Sequence, residues 1–163
     1  MKNPLIYSIL AALLTLGMKL AAYFLTGSVG LLSDALEAVV NLLTAVTAFL
    51  SLRYAALPVD ANHTYGHEKI EFFSSGIEGV VILIAAGGIA WYAVKRLFVP
   101  EELEALHVGA AISLGASAIN WSVAQFLLRS GKRRQSLVMI AHGKHLLTDV
   151  WTTAGVLLGR VLA

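Results

Sequence analysis

Residues 29–52 read VGLLSDALEAVVNLLTAVTAFLSL, and this stretch decides the class of fold. A helix needs roughly 20 mostly apolar residues to cross about 30 Å of hydrocarbon, and this stretch is long and apolar enough to do so. It nevertheless contains two carboxyl groups and one amide, those of Asp34, Glu37 and Asn41. Ionisable and amide groups are costly inside a bilayer unless they are paired or hydrated, so each one is a functional candidate. The stretch therefore predicts a membrane helix that carries a polar site.

The composition of the whole chain agrees with this prediction. Of its 163 residues, 58% are hydrophobic and only 13% are charged, whereas soluble domains are roughly a quarter charged. This composition excludes disordered, collagen-like and coiled-coil proteins, and the absence of Cys excludes disulfides and thiolate metal sites. A net charge of +2 is too balanced for a nucleic-acid-binding protein. We predict an all-α membrane bundle, a single transmembrane domain over residues 1–163, with helices at about 5–25, 29–52, 72–94, 106–128 and 137–162.

The orientation in the membrane follows from Lys and Arg in the short loops, which favour the cytoplasmic side. With the N-terminus in the cytoplasm, the inner side holds seven basic residues and the outer side holds two besides Arg160. Four of the seven lie between the fourth and fifth spans, in residues 129–134. We therefore predict an integral protein of a bacterial-type inner membrane with a cytoplasmic N-terminus and the C-terminus of the fifth span outside.

Four polar side chains on the second and fifth spans are predicted to meet near the middle of the bilayer. Glu37 and Asn41 are four residues apart, as are His145 and Asp149, so each pair shares one face of its helix. At about 1.5 Å per residue, Glu37 lies roughly 12 Å and Asn41 roughly 18 Å below the outer surface. The fifth span runs the opposite way, which brings Asp149 level with Glu37 and His145 level with Asn41. Two carboxylates, an imidazole and an amide suit a divalent transition metal.

A plainer interpretation of these residues stays open. They would then make hydrogen bonds between helices or a buried ion pair, for example between Asp149 and Lys144 or Lys19. Glu78, in the third span, is expected to pair with Lys19 or to relay protons. His142 is expected to lie at the membrane interface, because it is close to the end of its span.

The loop between the second and third spans holds a second group of possible ligands. Asp60, His63 and His67 are spaced three and then four residues apart, so a helical turn or a tight loop can present all three to a metal ion. The alternative is a solvated loop whose histidines lie near lipid headgroups. Asp34 lies one turn from Glu37 on nearly the same face, and we expect it to line the outer exit of the metal pathway.

Three stretches together resemble the cation diffusion facilitator family of metal-ion transporters. They read TGSVGLLSDA at residues 26–35, DANHTYGH at 60–67 and HLLTD at 145–149. The resemblance implies export of zinc, iron, manganese, cobalt or cadmium from the cytoplasm in exchange for protons, generally by homodimers in the lipid bilayer. No enzyme activity is expected.

The same resemblance implies two groups of metal ligands. One is a transport site on the second and fifth helices, formed by Glu37, Asn41, His145 and Asp149. The other is a loop site found in some bacterial members, formed by Asp60, His63 and His67. The family usually presents Asp or His, followed by Asp, on the second helix. Glu37 and Asn41 still offer oxygen donors. Compared with the usual family residues, they favour harder cations such as manganese or ferrous iron.

Family members normally have six membrane helices and a C-terminal cytoplasmic domain. This sequence ends at Ala163 after the fifth span, so we expect a truncated or minimal member that lacks that domain. The leading hypothesis is a divalent-metal/proton antiporter in which protonation of His145 expels the metal. Two other classes are kept: a non-transporting membrane fragment or partner subunit of such a transporter, and a membrane metalloenzyme that would need an open coordination position and a nearby base.

Overall fold

The computed structural model describes residues 4–26, 29–61, 63–98 and 106–162, and it is a bundle of five α-helices. The helices are α1 (Pro4–Thr26), α2 (Val29–Ala55), α3 (Lys69–Phe98), α4 (Leu106–Arg134) and α5 (Leu137–Leu162). The predicted all-α class is confirmed. The observed α3 and α4 extend beyond the predicted 72–94 and 106–128, because hydropathy marks only the hydrocarbon-facing part of a helix. Their charged ends at 95–96 and 129–134 continue the same helices.

The ends of the helices follow local backbone chemistry. Pro4 is the first residue of α1, a position where its missing N–H costs nothing. α2 ends at Ala55, shortly before Pro58, which cannot continue a helix. The tight turn between α4 and α5 places Gln135 at a φ of 52°, and the Ser136 hydroxyl accepts a hydrogen bond from the Met139 N–H at 3.5 Å. Ser136 is thereby the N-cap of α5.

The interior of the bundle is built mainly from small side chains. Ala48 and Ala124 are fully buried beside Leu127 and Met139. α4 and α5 approach closely at Gly143, where a Cβ atom would lie 3.2 Å from the Ala124 carbonyl oxygen. Small residues allow helix backbones to come this close, as is usual for helices packed within a membrane.

The outer surface of the bundle is apolar, whereas several polar residues are buried. Phe73, Leu83 and Trp91 of α3 each expose about 70% or more of their surface. Four helices, α1 to α4, are long and apolar enough within the described residues to cross a membrane. α5 is not among them because its polar residues lower its mean hydropathy. An apolar exterior around a partly polar interior fits a protein whose surroundings are lipid.

Candidate metal centre

A chain of hydrogen bonds joins α2 to α5 at the centre of the bundle. The Nε2–H group of His145 donates to Asn41 Oδ1 at 3.0 Å, and Asn41 Nδ2 donates to Asp149 Oδ2 at 2.7 Å. The direction is fixed because a carbonyl oxygen and a carboxylate oxygen can only accept. Asn41 and His145 are buried, and the Asp149 side chain is 15% exposed. Of the four residues predicted for the midplane site, these three are therefore in direct contact.

Helical spacing produces this contact. His145 and Asp149 are one turn apart on α5, so their side chains lie one above the other on the face that meets α2. His145 Nε2 lies 4.0 Å from Asp149 Oδ2, and the Asn41 amide lies between the two groups. A Zn²⁺ ion with bonds of about 2.0 Å has ligand atoms about 3.3 Å apart. The observed separations of 3.0 and 4.0 Å between Nε2 and the two oxygens lie on either side of this value.

Glu37 reaches the same region by a different route. Its carboxylate lies 4.0 Å from the Lys19 ammonium and is 47% exposed. It shares with Asp149 a polar cavity of about 30 Å³ between α1, α2, α4 and α5, which is large enough for a water molecule or a bare ion. The side chains that line this cavity include those of Lys19, Asp34, Glu37, Ser113, Asn120 and Asp149.

Asp34 is held at the cavity by a neutral partner. The Ser113 hydroxyl donates a hydrogen bond to Asp34 Oδ2 at 3.2 Å, which joins α2 to α4. Asp34 therefore lies beside Glu37 and Asp149 along one polar path. The two lysines considered as ion-pair partners of Asp149 lie elsewhere. The carboxylate closest to Lys19 is that of Glu37, and Lys144 is exposed on the outside of α5.

The loop residues Asp60, His63 and His67 converge, in a turn rather than in a helix. Their ligand atoms all lie within 4.8 Å of one another. Asp60 Oδ1 accepts from the His63 backbone N–H at 2.7 Å, and Asp60 Oδ2 lies 3.4 Å from His67 Nε2. Gly66 has a φ of +80°, which a residue with a side chain rarely adopts, and this turn brings the two rings to a centroid distance of 4.4 Å. Tyr54 packs edge-on against the buried His67 ring.

A second buried polar cluster differs from what the sequence predicts for His142 and Glu78. His142, expected at the interface, is fully buried, and Glu78 pairs with it rather than with Lys19. The His142 Nδ1–H group donates to Glu78 Oε1 at 3.0 Å, and the Ser8 hydroxyl donates to His142 Nε2 at 2.7 Å. The available signal was the spacing of residues 142, 145 and 149, which places all three on one face of α5.

A bundle of helices with an apolar surface that encloses a cavity lined by charged side chains is typical of a polytopic membrane protein. The sequence of residues 5–163 matches the family model of the cation efflux transmembrane domain. The chain therefore belongs to the cation efflux family, which confirms the resemblance found in the sequence.

Individual relatives agree with this assignment. An uncharacterised transporter from Synechocystis is 51% identical over 157 residues, which cover 96% of this chain and 51% of the relative. The cation-efflux pump FieF of Shewanella oneidensis is 28% identical over 96% of this chain and 53% of its own length. A probable cation efflux system protein of Mycobacterium tuberculosis is 30% identical over 92% of this chain and 45% of its own length. The chain thus spans about half the length of the curated relatives it matches.

Proposed function

We propose that this chain forms the transport unit of a divalent transition-metal efflux protein that exchanges the metal for protons across a bacterial-type cytoplasmic membrane. Glu37, Asn41, His145 and Asp149 bind the metal during transport. The observation that carries the proposal is the Asn41 amide, which lies in contact with both His145 and Asp149 across two helices. Asp34 extends the polar path from this site towards the start of α2.

The donor set indicates the class of substrate. Three side chains with oxygen donors and one imidazole suit zinc. Because α2 carries an amide where a second carboxylate could stand, the site also suits manganese or ferrous iron. Cobalt and cadmium remain within the same class. Asp60, His63 and His67 form the second metal site, at the end of α2 that faces the cytoplasm if the N-terminus is cytoplasmic.

Exchange for protons follows from the state of His145. The contact of 3.0 Å between Nε2 and the Asn41 carbonyl oxygen requires a proton on Nε2, and a protonated Nε2 has no lone pair for a metal. Metal binding requires this proton to leave Nε2, and its return favours release. The Nδ1 atom of the same ring is buried and has no hydrogen-bond partner among the described residues, so no contact at Nδ1 helps to keep the proton on Nε2. A homodimer that exposes the site alternately to the two faces completes the proposal.

The test is transport by the purified chain in lipid vesicles that contain a metal-sensitive dye and a pH-sensitive dye. The wild type should move metal and change the internal pH in step, and Asp149→Asn should abolish both signals. Thr148→Val is the matched control, because its hydroxyl bonds to the Lys144 carbonyl of its own helix. We expect this variant to transport normally.

Two results would contradict the proposal. Metal flux without a pH change would reject proton exchange while keeping transport. Metal binding without flux in the wild type would reject transport and favour a metal-binding partner subunit of a transporter.

A further inference from the structure

Lys19 is the only charged residue in the sequence of α1, and it lies inside the bundle. Its side chain is 12% exposed, and its ammonium lies 4.0 Å from Glu37 Oε2. It lines the same cavity as Asp34, Glu37 and Asp149. A cation is therefore built into the cavity through which the proposed substrate, itself a cation, would pass.

The charges of the cavity have a simple sum. Within the described part of the chain, three carboxylates and one ammonium line it, so its ionised side chains carry a net charge of −2. Without the ammonium the net charge would be −3, and the carboxylates would attract any cation, monovalent or divalent, more strongly in this low-dielectric environment.

Two of the three carboxylates, those of Asp34 and Asp149, are held more firmly than the ammonium is. Asp34 accepts a hydrogen bond from Ser113 at 3.2 Å, and Asp149 accepts one from Asn41 at 2.7 Å. Lys19 lies 4.0 Å from its nearest carboxylate oxygen, well beyond the roughly 2.7–2.9 Å of a closed ammonium–carboxylate hydrogen bond. A lysine ammonium is a point charge on a flexible stem, so it can move within the cavity while the hydrogen-bonded carboxylates of Asp34 and Asp149 stay in position.

We propose that Lys19 is a tethered cation that offsets one of the three cavity carboxylates between transport cycles and makes the site selective for divalent over monovalent ions. A sodium or potassium ion that displaces the ammonium brings no additional charge, so it gains little. A divalent ion brings one additional positive charge and gains correspondingly more from the same carboxylates. This inference rests on the proposed function and adds a residue that determines its specificity.

The experiment measures Mn²⁺ and Zn²⁺ binding to the full chain in detergent while Na⁺ replaces a bulky organic cation at constant ionic strength. Wild-type affinity should be nearly independent of Na⁺. In Lys19→Met, Na⁺ should weaken metal binding at least about tenfold, or 1.4 kcal/mol, because Na⁺ now competes for the cavity. Lys19→Arg should restore insensitivity to Na⁺. Lys144→Met, which removes an exposed ammonium next to the site, is the matched control and should behave as the wild type does.

The outcomes separate this inference from the proposed function. If the wild type binds neither metal, the proposed transport site is rejected. If the wild type binds metal but Na⁺ competes as strongly as in Lys19→Met, only the role of Lys19 is rejected. Should Lys19→Met fail to fold, Lys19→Gln provides the same loss of charge with a polar end, and strong competition by Na⁺ in the wild type would still overturn the inference.

Discussion

His142 and His145 lie one turn apart on α5, and both are buried, yet their surroundings differ. Their rings are nearly parallel, with an interplanar angle of 7° and a centroid distance of 6.2 Å. Both ring nitrogens of His142 are engaged, one by Glu78 and the other by Ser8. His145 uses only Nε2, towards Asn41, whereas its Nδ1 has no partner among the described residues.

The difference indicates two roles for the same residue type. A buried polar group whose hydrogen bonds are all made stabilises one arrangement of the helices and has no capacity for a ligand. The His142 ring, with both nitrogens bonded, joins α1, α3 and α5 in this way, and Glu78 Oε2 is the one atom of this cluster without a hydrogen-bond partner among the described residues. The His145 cluster joins only α2 and α5 and borders a cavity, so its side chains can exchange partners with an ion. We therefore propose that the His142 cluster has a structural role and that the His145 cluster has a metal-binding role.

The largest effect that tests this comparison is loss of metal binding in His145→Gln. We expect the affinity for Zn²⁺ to fall by more than about a hundredfold. Mutation of a residue that only hydrogen-bonds to a metal ligand already lowers metal affinity by up to about that factor. The Gln amide can still donate to Asn41, so the free energy of unfolding should change little. Calorimetry with Zn²⁺ and thermal unfolding in detergent provide the two measurements.

His142→Gln is the paired control for that experiment. It should bind Zn²⁺ within a few-fold of the wild type and unfold at a lower temperature. The assignment of roles would be wrong if the two variants showed the opposite pattern, with binding lost at His142 and stability lost at His145.

The second prediction concerns Glu78→Ala, which removes the carboxylate that holds His142. Deleting Glu78 leaves the buried His142 Nδ1–H group without its acceptor, which costs about 1–3 kcal/mol, so we expect a loss within that range in the free energy of unfolding. Glu78→Gln should recover part of this loss, since its amide can still bond to the ring. Glu68→Ala, which removes an exposed carboxylate, is the control and should be nearly neutral. A Glu78→Ala protein as stable as the wild type would show that the His142 cluster does not hold the helices together.

The same contrast explains what the sequence could and could not predict. Length and hydropathy identify the helices, and opposite chain directions place Asn41 at the depth of His145, where the two side chains are in contact. These inferences need only helical geometry. His142 was placed wrongly because its partners, Ser8 and Glu78, lie on helices whose rotation about their own axes depends on how the whole bundle packs.

The cavity shows the same limit. Lys19 was considered as a partner of Asp149 and of Glu78, but its nearest carboxylate is that of Glu37. At about 1.5 Å per residue, depth separates Lys19 from Glu78 by roughly 12 Å, but it does not distinguish Glu37 from Asp149, which lie at nearly the same height. The choice depends on which face of α1 meets α2 and α4, a tertiary property that side-chain spacing within one helix does not contain.

The third prediction uses the departure of α2 from the usual family pattern. Asn41→Asp supplies a second carboxylate beside Asp149 and His145, so affinity for Zn²⁺ should rise about tenfold, equivalent to 1.4 kcal/mol. Competition between Zn²⁺ and Mn²⁺ should show whether the substitution changes the preference as well as the strength. Asn120→Asp, on the α4 wall of the cavity, is the matched control for added charge. Equal gains in both variants would mean that overall charge, rather than ligation by residue 41, determines affinity.

The smallest expected effect lies at the loop site, which contrasts with the buried site in its exposure to solvent. Asp60 and His63 are about half-exposed, so water competes for any ion they bind. We expect His63→Ala to remove one bound metal per chain in equilibrium dialysis while transport falls by no more than about threefold, because exposed charged contacts contribute roughly 0–1 kcal/mol. Thr64→Ala, the neighbouring exposed position, should change neither quantity. A loss of transport in His63→Ala as large as that in Asp149→Asn would mean that the loop site lies on the obligatory path of the ion and is not an accessory to the buried site.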